Sequence, residues 1–146
     1  MEAWRLCRRP YADLTGEGAR RFGGRWNSPG RKVVYLAEHA ALAALEVRVH
    51  LDLPFALLPA DFVLMRVIMP DNPNTLFPAD TNSVETGDSW LAEGRSAVLR
   101  VPSVLVPHAW NLLLNPNHPD AARSSIRDLE PFGFDPRLWR PMAGEG

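Results

Sequence analysis

Apolar and polar positions alternate from Trp4 to Arg8, the period-two signature of a first strand. Val33 to Ala37 is a second short β-rich run. The alanine and leucine content of His39 to Leu51 predicts a helix that Pro54 cannot continue. Phe62 to Met69 reads as a buried strand, followed by a turn-rich segment with three prolines between 70 and 78. Asp88 to Gly94 is expected to form a helical turn. Ala97 to Val101, Val104 to Val106 and Trp110 to Leu114 read as strands separated by Pro102 and Pro107. A short helix over Asp120 to Asp128 and an extended Phe132 to Leu138 complete the pattern. Strands mixed with few helices predict an α+β domain.

The 146 residues fit one domain, 1–146, and show no internal repeat. The 14 prolines are about double the usual ~5% share, which favours short elements and many turns. No stretch approaches the roughly 18 apolar residues of a membrane helix, and MEAWRLCRRP has no signal-peptide core, so a cytoplasmic protein is expected. Cys7 is the only cysteine and the four histidines show no metal-binding spacing, so neither a disulfide nor a metal is expected.

The net charge of -1 conceals an asymmetry. Residues 1–32 hold eight basic and three acidic side chains; the remainder holds eight basic and fourteen acidic. Fifteen of the sixteen basic residues are arginine, the side chain suited to bidentate contact with phosphate or carboxylate. The pattern favours a localised anion site, and the acidic remainder argues against a nucleic-acid-binding surface.

Residues 15–31 contain six glycines or prolines and read as a loop, with Arg20, Arg21, Arg25 and Arg31 placed where a backbone can approach a phosphate. A flexible basic turn is the plainer reading. Neither G-x-G-x-x-G nor a GK[ST] loop is present. Glu46 and His50, four apart on the predicted helix, share one face, as a carboxylate aimed into a cleft or as a solvated surface pair. Tyr35 suits core packing or an aromatic cleft surface. Ser96, where a turn meets a strand, lacks the surroundings of a hydrolase nucleophile.

The order of these pieces resembles the RES domain, the toxin of RES–Xre toxin–antitoxin pairs. The resemblance rests on GGRWNSPGRKVVYLAEHAALAALEVRVH at 23–50, GRSAVLRVPSVLVP at 94–107, NLLLNPNHPDA at 111–121 and FDPRL at 134–138. It implies a compact fold similar to ADP-ribosyltransferase toxins, with NAD as substrate. Arg25, Glu46 and Ser96 match the arginine, glutamate and serine for which the domain is named. Tyr35, His50 and Asn111 fall where further pocket residues are placed.

The roles implied are Arg25 on the NAD pyrophosphate, Tyr35 on the nicotinamide riboside and Glu46 on the ribose hydroxyls. His50 would orient Glu46, and Ser96 would bond the nicotinamide or a phosphate. Water, inorganic phosphate and a protein side chain all remain open as acceptors; a phosphate would need its own cationic pocket, for which Arg21 and Arg31 are candidates. The resemblance also implies an Xre-type antitoxin that covers the site within a hetero-oligomer and itself contacts DNA. The alternative is a catalytically inert binding module of the same fold.

Overall fold

The computed structural model describes residues 1–71, 73–75 and 82–140. Seven strands form one sheet in the order β4-β5-β6-β2-β1-β3-β7: β1 is Glu2–Arg8, β2 Val34–Ala37, β3 Phe62–Ile68, β4 Asn74–Thr75, β5 Val98–Pro102, β6 Trp110–Leu114 and β7 Ser125–Pro131. Every pairing is antiparallel except β4 with β5. The helices are α1 (Glu17–Phe22), α2 (Ala40–Arg48) and α3 (Ser83–Glu93). The expected α+β architecture is borne out.

Side chains alternate between the two faces of a strand, and the buried residues sort accordingly. Val34, Leu36, Met65, Val67, Leu112 and Leu114 share a cluster on one face. The opposite face carries two clusters instead. Leu6, Ala37, Leu42, Ala43, Phe62 and Phe134 lie under α2, whereas Trp26, Val33, Trp90, Leu99, Val101 and Leu113 lie under α3 and the 23–32 loop. Along that face, Tyr35 of β2 belongs to the second cluster and Ala37, two residues on, to the first. The sheet is also narrowest here, since β1 and β2 register only at Trp4 and Ala37.

Several boundaries differ from the sequence expectations. Within the expected 15–31 loop, Glu17–Phe22 forms α1, started by Gly16 at φ 75° and stabilised by the Glu17–Arg20 pair one turn apart. A Cβ at Gly16 would stand 2.8 Å from the Val33 nitrogen, so glycine serves both backbone and space there. The helix α3 is longer than expected because Asn82 caps it by accepting the Glu85 N–H and Gly94 closes it at φ 62°. In contrast, α2 stops at Arg48, where the guanidinium turns to the Leu138 carbonyl and stacks on Trp139 at 3.9 Å.

Val104 to Val106 is a turn rather than a strand, because the Ser103 hydroxyl accepts both the Leu105 and Val106 N–H groups. The expected helix at 120–128 is divided between a 3-10 turn at Pro119–Arg123 and strand β7. Every residue of β7 is exposed, so no apolar alternation announces it; pairing with β3 alone makes it a strand. The 136–139 segment is 3-10 rather than extended, capped by Asp135 on the Arg137 N–H. Of the turn-rich 70–78 segment, positions 72 and 76–78 lie outside the described residues.

Candidate functional site

At the seam between the two apolar clusters Glu46 meets Asn111, and Tyr35 stands on the same sheet face. Ala37 pairs with Asn111 and Tyr35 with Leu113, so Tyr35 and Asn111 stand on the same sheet face. Above them, Glu46 follows the buried Leu42 and Ala43 by one helical turn and therefore shares their sheet-directed stripe. The half-buried Glu46 accepts a hydrogen bond at Oε1 from Asn111 Nδ2, at 3.0 Å. One carboxylate oxygen is thus fixed by a neutral carboxamide, while no hydrogen bond among the described residues engages Oε2. A carboxylate oriented in this way is prepared to accept hydroxyl protons or to stand beside a developing cation.

The 23–32 loop closes the other side of the seam. Tyr35 Oη accepts the Trp26 N–H at 2.9 Å and donates to Asn27 Oδ1 at 2.7 Å. Asn27, 1% exposed, donates through Nδ2 to the carbonyls of Ala19, Ser28 and Arg31. This buried side chain replaces the backbone pairing the irregular loop lacks. Burial pushes the Tyr35 phenol up to about 12; the Trp26 N–H opposes that rise and the Asp88 carboxylate adds to it. Tyr35 is accordingly a neutral donor at ordinary pH.

From the far side, α3 grips the same loop. Asp88 accepts from Ser28 N–H at 3.0 Å and Ser28 Oγ at 2.6 Å, and its carboxylate lies 3.6 Å from Arg31 Nε. The preceding Gly87 lets the helix backbone pass against Trp26; a Cβ there would overlap the Trp26 carbonyl. Gly24 is similarly constrained, since its Cβ would stand 2.7 Å from Tyr35 Oη. Between these anchors Arg25 is exposed and enters no hydrogen bond or ion pair among the described residues. A rigid loop thus presents an uncommitted guanidinium, the group best suited to a phosphate or pyrophosphate.

Two expected site residues sit differently. Ser96 is buried: its Oγ accepts the Trp90 indole N–H at 3.0 Å and donates its only proton to the Val98 carbonyl at 2.7 Å. It fixes Trp90, the largest side chain beneath the loop, and makes no hydrogen bond to Glu46, Tyr35 or Asn111. His50 lies two residues beyond the last residue of α2, so the helical spacing that would align it with Glu46 is absent. Its imidazole is exposed and forms no hydrogen bond to Glu46. Sequence reasoning missed Asn27, Gly87 and Asp88 as loop anchors. Asn27 stood within the quoted motif, whereas a glycine and an aspartate 60 residues away carried no local signal.

No group of three or more His, Cys, Asp or Glu among the described residues is placed to hold a metal, and none of their helices is long and apolar enough to cross a membrane.

Comparisons with known proteins show the family and the fold. The RES domain family model matches residues 2–135. A Sphingobium sp. (strain YBL2) protein named Prs ADP-ribosylating toxin is 39% identical, covering 94% of this chain and 96% of its own. A Yersinia enterocolitica protein named Toxin Res is 37% identical over 94% of this chain and 99% of its own. Among solved structures, the M. tuberculosis MbcT–MbcA toxin–antitoxin complex contains a chain of the same fold. That match has a TM-score of 0.70 and 20% identity, covering 94% of this chain and 86% of the other. With its motifs, its fold and nearly its whole length matched, this chain belongs to the RES domain family.

Proposed function

We propose that this protein is the toxin of a toxin–antitoxin pair and cleaves the nicotinamide–ribose bond of NAD in the cytoplasm, transferring ADP-ribose to an acceptor. The observation that carries the reading is the seam itself. Glu46, oriented by Asn111, stands on the sheet face that bears Tyr35, and the loop clamped by Tyr35 presents the free Arg25. The name of the Sphingobium relative supports ADP-ribosyl transfer.

The chemistry suits one carboxylate. Nicotinamide leaves from a positively charged ring nitrogen as a neutral molecule, so its departure requires no general acid, unlike the alcohol leaving group of ordinary glycosides. The main demand is electrostatic stabilisation of an oxocarbenium-like ribosyl group and positioning of the acceptor. Arg25 would hold the pyrophosphate, Tyr35 would orient the nicotinamide riboside, and Glu46 would take the ribose hydroxyls beside the cation. Asn111 would fix the Glu46 rotamer. Ser96 serves the site by fixing Trp90 under the loop. His50, at the margin, is assigned to the outer rim of the pocket.

An Xre-type antitoxin would cover this seam; a toxin–antitoxin complex as structural relative supports such a partner. The test is nicotinamide release from NAD by purified antitoxin-free protein, supplied in turn with buffer, inorganic phosphate and a cell extract. Product mass identifies the acceptor. Glu46→Gln and Arg25→Ala are each expected to lose turnover by on the order of 10²–10³-fold while keeping the wild-type circular dichroism spectrum. Undiminished turnover in both would remove the site assignment. A wild-type protein that binds NAD without releasing nicotinamide would instead establish the inert binding module.

A further inference from the structure

A second feature of the molecule lies outside the proposed cleft. An open pocket of about 210 Å³ is lined by Arg20, Gly30, Arg31, Lys32, Leu91, Asn115 and Asn117. No carboxylate lines it. Asn115 immediately follows Leu114, four residues along β6 from Asn111, which places it roughly 13 Å from the Glu46 contact at the usual rise per strand residue. Between the two positions on the same face stands Leu113, fully buried in the cluster of Trp26 and Trp90. The pocket and the seam therefore lie at opposite ends of that apolar cluster.

The polar groups of the pocket are predominantly donors. Lys32 makes no hydrogen bond or ion pair among the described residues. Arg20 places Nε and Nη2 on Glu17, leaving Nη1 uncommitted, and Arg31 meets Asp88 only at 3.6 Å. The decisive member is Asn115. It is 3% exposed, its Oδ1 accepts the Asn117 N–H at 3.0 Å, and its Nδ2 has nothing better than a 3.5 Å approach to the Leu91 carbonyl. A buried carboxamide lining a cationic pocket, whose Nδ2 makes one long hydrogen bond, keeps a second N–H for a further acceptor. Glu17 partly offsets Arg20 and Lys32, and Asp88 partly offsets Arg31, which leaves Lys32, Arg31 and the Arg20 Nη1 able to converge on one added anion. Arginine geometry favours a tetrahedral oxyanion over a halide.

We infer that the pocket formed by Arg20, Arg31, Lys32 and Asn115 binds a phosphate dianion, free or as the head of a phosphate monoester, at a site separate from the proposed NAD cleft. The site is not that of a phosphate acceptor, because the Trp26 cluster separates it from Glu46. Occupancy would steady the loop end that Asn27 grips through the Arg31 carbonyl.

The test is calorimetric titration of NAD-free protein with inorganic phosphate at constant ionic strength, chloride making the balance. Lys32→Glu and Asn117→Asp alter half-buried or exposed rim side chains and each add a carboxylate; each is expected to weaken phosphate binding by about tenfold or more. Glu46→Gln and Arg25→Ala are expected to bind phosphate as wild type does. AMP that binds more tightly than phosphate and is lost with Lys32→Glu marks the site as one for monoesters; AMP no tighter than phosphate marks it as one for the free ion. Absence of phosphate binding beyond the chloride control overturns the inference, as does indifference to both rim variants. Dependence on Arg25 or Glu46 also overturns it, by placing the bound ion in the cleft. Because no NAD is present, loss of the toxin reading would leave this result standing.

Discussion

Both sides of the seam sit on apolar clusters but are fastened to them by different means. The α2 side rests on apolar burial: Leu42 and Ala43 press into a cluster closed by Leu6, Phe62 and Phe134, and Glu46 adds a single polar contact. The loop side rests on close backbone approach and buried hydrogen bonds, through Gly87 against Trp26, Asn27 on three carbonyls, and Asp88 on Ser28. Apolar packing tolerates small adjustments because neighbouring side chains partly relax into lost volume. A backbone-to-backbone approach has no rotamer to adjust. The carboxylate is thus carried on the forgiving side and the arginine on the unforgiving one.

The largest effect is expected at Gly87. Adding one methyl in Gly87→Ala forces α3 away from the Trp26 carbonyl and should cost about 4 kcal/mol or more in urea unfolding. Removing three carbons in Leu42→Ala, on the α2 side, should cost about 3 kcal/mol. A Gly87→Ala cost below that of Leu42→Ala would break the comparison, because the loop side would then be as adaptable as the helix side.

The smallest effect is read at Tyr35, and it sharpens how dry the loop side is. The chain has two tyrosines, so in Tyr11→Phe the phenolate absorbance at 295 nm reports Tyr35 alone. Its ionisation is expected at about 12 in the folded protein, against about 10 when unfolded. Because the folded state holds the proton more tightly, this contribution to stability is complete below pH about 10 and is lost as pH rises towards 12. Titration near 10 in the folded protein would mean that water reaches the phenol and that the loop is open.

Much of this architecture is legible along the chain. β1, β2, β3, β5 and β6 lie close to their apolar runs, and α2 follows from its alanines and leucines. Others are not legible, for physical reasons. β7 has no buried residue, and its conformation comes from the β3 edge, far away in sequence. α3 contains Gly87, which local propensity penalises and which only the Trp26 contact explains. The spacing of Glu46 and His50 implied a shared helical face, but the helix ends at Arg48, where the side chain engages Leu138 and Trp139.

The sequence by itself determined the family, through motifs whose order and residue types are local facts: Arg25 in GGRWN, Tyr35 on a β-rich run and Glu46 on an alanine-rich helix. Tertiary structure alone decided their use. It set Glu46 on Asn111, turned Ser96 inward to Trp90 and Val98, and drew Arg20, Arg31, Lys32 and Asn115 around one pocket. Strand register and helix docking govern these distances, and both depend on partners far away along the chain.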